Sequence, residues 1–169
     1  MKIIDEALEA NTLYAKGFKS GDLPMPPGRK LAILACMDAR LTVEPMLGLK
    51  TGDAHIIRNA GGIATEDAVR SLIISHHLLG TQEIMIINHT DCGMLTFKDA
   101  DFRARLRQQT GAAAVGPAHF YAFSDPEENV REQIQRIKSH PWIPKHIPVR
   151  GFIYDVRSGR LREARIAAG

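Results

Sequence analysis

The sequence is poor in cysteine, in long apolar runs and in net charge. Its 169 residues include only two cysteines, Cys36 and Cys92, which could form at most one disulfide. No apolar run approaches the roughly 18 residues that a membrane-spanning helix needs, so we expect no membrane partner. The formal net charge is only +3 at pH 7 and the basic residues are spread thinly, so we expect no nucleic-acid partner either.

The beginning of the chain lacks the pattern of a secretory signal peptide. The stretch "MKIIDEALEANTLYAKGF" has acidic residues where a signal peptide has its apolar core, and it contains no small-residue cleavage site. We therefore predict a cytoplasmic protein. In a reducing compartment, a metal site or a reactive thiol explains the cysteines better than a disulfide does.

The first part of the chain is predicted to form an arm outside the main body. Ile4, Leu8 and Leu13 recur at helical spacing, and the stretch "GDLPMPPGR" then ends the helix with three prolines and two glycines. The apolar face of such a detached helix needs a cover, and a neighbouring subunit is a natural one. We predict an N-terminal helix with a proline-rich arm over 1–28, followed by a single domain over 29–169.

The remaining sequence alternates between strand-like and helix-like segments. Three apolar runs, "LAILAC", "AHIIRN" and "EIMIINH", lack polar alternation, which is typical of parallel strands covered on both faces. Between the second and third runs, "TEDAVRSLIISHHLLG" predicts a crossover helix with Thr65 as N-cap and Gly80 as its stop. "DADFRARLRQQ" and "PEENVREQIQRIKSH" predict two polar helices, and "VRGFIYDVRSGRLRE" predicts a strand, a turn and a polar tail. This order predicts an α/β fold with a mainly parallel central β-sheet flanked by helices.

Residues of the types that bind metal ions follow two of these strands. Cys36 ends the first strand, while His89 and Cys92 end the third in "NHTDCGM". In an open α/β sheet function gathers at the carboxyl ends of the strands, so adjacent first and third strands would bring the three side chains together. Two thiolates and one imidazole suit Zn²⁺, which keeps its fourth position open to water at a catalytic site. A purely structural role for Cys36 and His89 is the alternative.

Two charged residues follow Cys36 at alternate positions in "CMDAR". Side chains two residues apart in an extended chain point the same way, so we expect Asp38 and Arg40 to face the metal position with Cys36. Asp38 could bind the metal directly, or it could pair with Arg40 and accept a hydrogen bond from a water at the metal. Arg40 would restore positive charge beside a Zn²⁺ neutralised by two thiolates. A surface ion pair without a catalytic role fits the same spacing.

The motifs "CMDAR", "RNAGG" (58–62) and "HTDCG" together resemble those of the β-class carbonic anhydrases, most closely over residues 1–100. The resemblance implies a zinc enzyme that interconverts carbon dioxide and bicarbonate, in which a zinc-bound hydroxide is assisted by an Asp-Arg dyad. It implies a mostly parallel α/β sheet. It also implies an obligate homodimer, or a tetramer, in which the N-terminal helix reaches over a partner subunit.

The resemblance also assigns roles to particular residues of this chain. By position, the metal ligands are Cys36, His89 and Cys92, and the catalytic dyad is Asp38 with Arg40. The resemblance leaves Asp38 as a conditional fourth ligand, bound either to Arg40 or to zinc in place of water. Gly61 and Gly62 would let the loop after the second strand approach the site with its backbone amides free.

Two other functions are compatible with the same ligands. The resemblance extends to enzymes that hydrolyse carbonyl sulfide or carbon disulfide on the same zinc scaffold, because these molecules are isoelectronic or nearly so with carbon dioxide. A non-catalytic redox sensor, whose thiolates release zinc on oxidation, is a second alternative. Such a sensor would need neither Asp38 nor Arg40.

Overall fold

The centre of the protein is a five-stranded sheet, described by a computed structural model for residues 2–112 and 116–165. The strands are β1 Leu31–Cys36, β2 Ala54–Asn59, β3 Glu83–His89, β4 Val149–Tyr154 and β5 Leu161–Glu163. They lie in the order β2-β1-β3-β4-β5. The first four are parallel and β5 is antiparallel to β4. This is the mainly parallel α/β fold that the sequence predicts.

Residue 1, residues 113–115 and residues 166–169 lie outside the described part of the chain. The outer ends of the predicted arm and of the predicted domain therefore lie outside it as well.

β1 is an interior strand of the sheet, and its side chains are buried on both faces. Ala32, Ile33, Leu34 and Ala35 are all 0% exposed, and none of them carries a polar group that needs water. β1 pairs with β2 on one side and with β3 on the other. Ala35 lies opposite Ile87 of β3, so the carboxyl ends of both strands reach the same edge of the sheet.

Five helices are found in the described residues. They are α1 Ile3–Lys16, α2 Val43–Leu47, α3 Glu66–His77, α4 Asp99–Thr110 and α5 Pro126–Ser139. α3 is the predicted crossover, and its N-cap is Thr65, whose Oγ1 accepts a hydrogen bond from the Ala68 amide at 3.3 Å. The helix ends at His77, and Gly80 follows with a φ of 76°.

Two hydrophobic clusters cover the two faces of the sheet. One contains α3 and α5 and includes Leu72, Val130, Ile134 and Ile137. α5 approaches β4 closely because Gly151 has no side chain, and a Cβ at that position would overlap Val130. The other cluster includes α2 and the carboxyl ends of β1 and β3. The candidate site described below lies in this second cluster.

The N-terminal helix buries none of its residues within its own chain. Five of its apolar or aromatic side chains are 61% to 77% exposed: Ile3, Ile4, Leu8, Leu13 and Tyr14. This agrees with the sequence-based expectation of a helix that stands off from the main body.

One segment differs from the sequence-based prediction. The stretch predicted as a polar tail contains β5, which pairs with Phe152, Ile153 and Tyr154 of β4. Three residues with two charged side chains carry too little periodicity to indicate a strand, and β5 forms because β4 offers an unpaired edge. Among the described residues, no helix has the length and hydropathy required to cross a membrane.

Candidate metal centre

Cys36, His89 and Cys92 meet at the carboxyl edge of the sheet. Cys36 is the last residue of β1 and His89 is the last residue of β3. One ligand atom from each of the three lies within 4.8 Å of the other two. The Sγ atoms of Cys36 and Cys92 are 4.0 Å apart, and both cysteines are free thiols. The adjacency of β1 and β3 thus brings together the three residues predicted as metal ligands.

The His89 ring presents one nitrogen to this cluster. Its Nδ1 lies 2.8 Å from the Thr90 carbonyl oxygen, and because a carbonyl only accepts, Nδ1 carries a proton and donates it. Its Nε2 is the only buried side-chain nitrogen or oxygen without a hydrogen-bond partner in the described part of the chain. Burial lowers the pKa of His89, but the neighbouring Cys36 sulfur raises it above its usual value overall. Nε2 therefore faces a position that attracts a proton or a metal ion.

The two thiols share a hydrogen bond that shifts their pKa values in opposite directions. A hydrogen bond from Cys92 holds the pKa of Cys36 well below its usual range, against the effect of burial. His89 and the backbone N–H groups of Asp38 and Gly61 lower it further. The same thiol pair, together with burial, raises the pKa of Cys92. A proton shared between two sulfur atoms marks the place where a cation would stabilise both thiolates.

These donor atoms fit a tetrahedral zinc ion. Zinc bonds of about 2.3 Å to sulfur and about 2.0 Å to nitrogen place ligand atoms roughly 3.5–3.8 Å apart, close to the separations in the cluster. The buried and unpartnered Nε2, the two unlinked thiols and the proton on Nδ1 each agree with such a ligand set. Three protein ligands leave one position open, which is typical of a catalytic rather than a structural site.

Asp38 and Arg40 form an ion pair beside the cluster. Arg40 Nε and Nη2 donate to the two oxygens of Asp38 at 2.9 and 2.8 Å, and the Arg40 backbone amide donates to Oδ1 at 2.9 Å. Asp38 Oδ2 lies 3.8 Å from His89 Nε2. In this structure Asp38 thus pairs with Arg40 while one of its oxygens borders the metal position.

Strand alternation, the sequence-based explanation for why Asp38 and Arg40 lie beside Cys36, is wrong. β1 ends at Cys36, and residues 38–41 form a turn in which the Leu41 amide donates to the Asp38 carbonyl at 3.0 Å. Strand alternation therefore does not extend to Asp38 and Arg40. They reach the site because the turn folds back over the end of the sheet.

Arg40 also joins the segments that follow β1 and β3. Its Nη1 donates to Asp91 Oδ2 and its Nη2 to the Asp91 carbonyl oxygen, each at 2.8 Å. Asp91 lies between His89 and Cys92 and adopts a φ of 54°. Asp91 was not predicted from the sequence, although its place inside "HTDCG" is a signal that could have singled it out.

The loop after β2 packs directly against the cluster. Arg58 holds the strand end, since its Nε and Nη2 donate to the carbonyl oxygens of Cys36 and Asp38 at 3.1 and 2.6 Å. Gly61 and Gly62 have φ values of 85° and 62°, which side chains disfavour. A Cβ on Gly62 would lie 3.1 Å from the Cys36 nitrogen. The two glycines thus allow the loop backbone to lie close to Cys36. The hydrogen bonds of Arg58 were not predicted from the sequence.

Met94 and Phe123 form an apolar wall on one side of the candidate metal centre. Met94 and Phe123 pack in the same hydrophobic cluster as Cys36 and Cys92. A Cβ on Gly61 would lie 3.1 Å from the Phe123 ring and 3.2 Å from Met94. The site therefore combines an open metal position, a paired carboxylate and a small apolar boundary.

The protein combines an α/β fold with a cluster of Cys36, His89 and Cys92 that is compatible with a zinc site, at the carboxyl edge of the parallel strands. Residues 31–161 match the protein family described as carbonic anhydrase, and the chain belongs to the β-carbonic anhydrase family.

Similar proteins cover nearly the whole chain. Beta-carbonic anhydrase 1 of Mycobacterium tuberculosis is 50% identical over 163 residues, covering 96% of this chain and 98% of the relative. Carbon disulfide hydrolase of Acidithiobacillus thiooxidans is 35% identical over 163 residues, covering 86% and 82%. The crystal structure of carbonic anhydrase from Streptococcus mutans superposes with a TM-score of 0.92 at 47% identity, covering 98% of this chain and 99% of that one.

Proposed function

We propose that this protein is a zinc-dependent carbonic anhydrase that catalyses the reversible hydration of carbon dioxide to bicarbonate. The observation that carries the proposal is the buried cluster of Cys36, His89 and Cys92, with the Asp38–Arg40 pair beside it. The 50% identity to a β-carbonic anhydrase over almost the whole chain supports the choice of reaction.

In the proposed site, Cys36, His89 and Cys92 hold the zinc ion. When bound, zinc supplies a Lewis acid that lowers the pKa of water and fixes its position. The Thr90 carbonyl holds the His89 ring through Nδ1, so that Nε2 keeps its direction towards the metal position. Asp91, through Arg40, and Arg58 hold the strand ends from which the ligands project.

Asp38 is the residue proposed to orient the attacking water. Hydrogen bonds from Arg40, which outweigh the effect of burial, keep the pKa of Asp38 well below its usual range. Asp38 therefore stays ionised near neutral pH and accepts a hydrogen bond at Oδ2, 3.8 Å from His89 Nε2. The oxygen of this water forms the new bond to the carbon of carbon dioxide, and the proton that it loses passes to solvent. The wall formed by Met94 and Phe123 suits an uncharged, linear substrate.

Hydrolysis of carbon disulfide is the second candidate, because a carbon disulfide hydrolase is 35% identical to this chain. Carbon disulfide and carbonyl sulfide would need the same metal position and the same carboxylate. Turnover assays with each of the three molecules separate the candidates. A thiolate redox sensor predicts instead that Asp38 and Arg40 can be replaced without effect on its response.

The assembly and the location belong to the proposal as well. We propose that residues 29–169 form the catalytic domain and that α1, within the arm of residues 1–28, packs on a second subunit of a homodimer or a tetramer. The exposed apolar side chains of α1 support this arrangement. We also propose a cytoplasmic location, because two thiols that must stay reduced suit a reducing compartment.

Stopped-flow measurement of carbon dioxide hydration on protein of known metal content tests the proposed function. We expect about one zinc per chain and rapid hydration, and we expect Cys92→Ser to lose most of both, because a hydroxyl is a poor zinc ligand. Thr96→Ser is the matched control, since Thr96 is exposed and its hydroxyl bonds only the Gly93 carbonyl. Full zinc content and full activity in Cys92→Ser would disprove the site as described.

A further inference from the structure

Large apolar side chains are exposed on a second surface besides α1. Outside the arm of residues 1–28, the exposed large apolar side chains of the described residues are Met37, Ile74, Leu78 and Trp142. Ile74 and Leu78 lie four residues apart at the carboxyl end of α3. Trp142 lies beside this end of α3, since His77 Nε2 donates to its carbonyl oxygen at 2.8 Å. Three of the four side chains therefore share one patch, and such patches mark interaction sites.

A groove lies at this patch, between α3, the last turn of α5 and the segment that follows α5. Its volume is about 660 Å³. Six of its lining residues define what is called the Trp142 groove below: Val69, Arg70, Ile73, Ile74, Arg136 and Trp142. Trp142 is 67% exposed there, although an indole is among the side chains that gain most from burial at an interface. The groove thus has an apolar lining that a single chain leaves open.

The charges at the Trp142 groove are mainly positive. Arg70 pairs with Asp67 of its own helix at 2.8 Å, and both side chains are exposed. The Arg136 guanidinium lies 5.9 Å from the centre of the Tyr121 ring, and no carboxylate among the described residues forms an ion pair with it. Glu66 alone is acidic among the lining residues. The groove therefore suits a partner that is apolar and carries acidic residues.

The N-terminal helix presents the complementary surface. At about 100° per residue, Ile3, Ile4 and Leu8 share one face of α1, and their side chains are exposed. Asp5 and Glu6, in the first turn, lie on the two sides of this face. Since α1 buries none of its residues in its own chain, the whole apolar face is available to a partner.

The arm keeps α1 away from the groove of its own chain. The Gly28 amide donates to the Gly52 carbonyl at 2.8 Å, and the Arg29 amide donates to the Asp53 carbonyl at 2.9 Å. These bonds fix the end of the arm beside the start of β2. A second copy of the chain offers both an open groove and an open helix, so two copies can cover each other reciprocally in a twofold pair.

We propose that the Trp142 groove receives α1 of a second copy of the chain, with the apolar face of α1 on Ile74 and Trp142 and its acidic first turn towards Arg136. This inference rests on the proposed homodimer and adds to it the surface on which α1 packs. Burial of the apolar face supplies most of the binding free energy, because exposed ion pairs contribute little. The charges set the direction of the helix in the groove.

Trp142 is the only tryptophan of the chain, so its fluorescence reports on the groove directly. In the assembled wild-type protein we expect the short-wavelength emission of an indole shielded from water, and protection from quenching by acrylamide. Leu8→Ser should shift the emission to longer wavelength and remove the protection. Glu9→Ser is the matched control and should change neither, because Glu9 lies away from the apolar face of α1. A wild-type protein that is monomeric or has a water-exposed Trp142, or an unshifted Leu8→Ser, would overturn the proposal.

A disulfide trap distinguishes a second copy from the same chain. The two natural cysteines are buried, so Leu8→Cys combined with Ile74→Cys adds one pair of surface thiols. Oxidised glutathione should link these variants into covalent dimers on a non-reducing gel. Leu8→Cys combined with Ser158→Cys, in the exposed turn between β4 and β5, is the control and should stay unlinked. A disulfide within one chain, or equal linking in the control, would overturn the proposal.

A charge reversal tests the direction of the helix. Arg136→Glu should raise the dissociation constant of the dimer, because the acidic first turn of α1 then meets a negative charge. Arg107→Glu makes the same change on α4, away from the groove, and should leave the dissociation constant unchanged. Light scattering over a range of protein concentrations measures both, and equal dissociation constants would overturn the proposed direction.

The groove and the proposed reaction can fail separately, because none of these measurements depends on turnover. An inactive protein with a shielded Trp142 would refute the reaction and support the groove. An active dimer in which Trp142 is exposed to water would overturn the groove and leave the reaction in place.

Discussion

Arg40 is the residue with the largest effect on the charge and position of Asp38. It supplies three hydrogen bonds to the Asp38 carboxylate and ties it to Asp91 on the neighbouring segment. The pair is partly exposed, with side chains 46% and 19% accessible, so its contribution to stability is small. Its importance at the residue scale lies in where it directs the carboxylate.

We predict that Arg40→Ala keeps its zinc but loses carbon dioxide hydration by about 100-fold or more. Without its guanidinium partner, Asp38 needs to move little from its position 3.8 Å from His89 Nε2 to bind the metal in place of water. Zinc analysis, stopped-flow kinetics and a crystal structure of the variant test this outcome. Arg29→Ala, which removes an exposed ion pair with Asp53, is the control and should behave like the wild-type protein.

A double variant separates the two roles that Arg40 could have. If Asp38 displaces water in Arg40→Ala, adding Asp38→Ala should readmit water and restore part of the activity. A structure of Arg40→Ala with water at the metal and Asp38 turned away would contradict the displacement. Arg40 would then act mainly through its charge.

At the residue scale, the sequence predicted the candidate metal ligands better than the side chains that hold the surrounding loops in place. Cys36, His89 and Cys92 could be predicted because they lie at or shortly after the ends of strands with a clear apolar pattern. Arg58 and the buried amides of Asn88, Asn129 and Gln133 could not be, because only tertiary folding brings their hydrogen-bond partners close. Asn129 and Gln133 lie on a helix whose pattern reads as polar, and only the packing of α5 against β3 and β4 buries them.

At the element scale, α4 carries a side chain that organises a distant segment. Asp99, the first residue of α4, accepts hydrogen bonds from the backbone amides of Phe120, Tyr121 and Ala122 at 2.8, 3.2 and 3.0 Å. Tyr121 has a φ of 61°, an unfavourable conformation that these bonds help to hold. The next residue along is Phe123, which forms part of the apolar wall.

The pKa of Asp99 gives this arrangement a pH dependence. Burial raises the pKa of Asp99, but the amides of Ala122, Phe120 and Tyr121 outweigh it and bring the pKa below its usual value of 3.8. The stabilisation of the folded state by the ionised Asp99 is therefore fully present above the ordinary pKa of an aspartate. It is lost as the pH falls through the lowered pKa that Asp99 has in the folded protein.

We predict that Asp99→Asn is less stable than the wild type by about 1–2 kcal/mol at pH 7, because an amide nitrogen replaces one acceptor oxygen. The difference should shrink as the pH falls below 3.8, when the wild-type carboxyl also becomes protonated. Urea unfolding across this pH range measures it. Asp101→Asn, on the same helix, is the control, and a pH-independent difference for Asp99→Asn would contradict the assignment.

The elements themselves followed the sequence closely where their apolar pattern was strong. The bounds of β1, β2 and β3 coincide with the three apolar runs. Burial on both faces explains this for β1 and β3, whereas β2 lies at the edge of the sheet and is only partly buried, unlike the expectation from its sequence. β5 was missed because its stability comes from pairing with β4 rather than from its own residues. The turn at residues 38–41 was not predicted, because the residues that follow Cys36 in this segment include neither glycine nor proline.

At the scale of the whole molecule, the described chain leaves α1 without an apolar partner of its own. Its exposed side chains Ile3, Ile4, Leu8, Leu13 and Tyr14 would cost free energy in water, at about 25 cal/mol per Å² of apolar surface. Exposed apolar patches of this kind mark interaction sites. In the proposed symmetric assembly, a second copy of the chain would cover each copy of α1.

We predict that deleting residues 1–20 converts the assembly to monomer or aggregate and lowers the melting temperature, because the apolar surface that α1 covers on its partner becomes exposed. Size-exclusion chromatography with light scattering, at several protein concentrations, measures the change. Leu8→Ser should weaken the assembly, whereas Glu9→Ser, which alters an exposed polar neighbour on the same helix, should not. If the truncated protein keeps the oligomeric state and melting temperature of the full chain, α1 does not pack on a partner, and another surface must hold the subunits together.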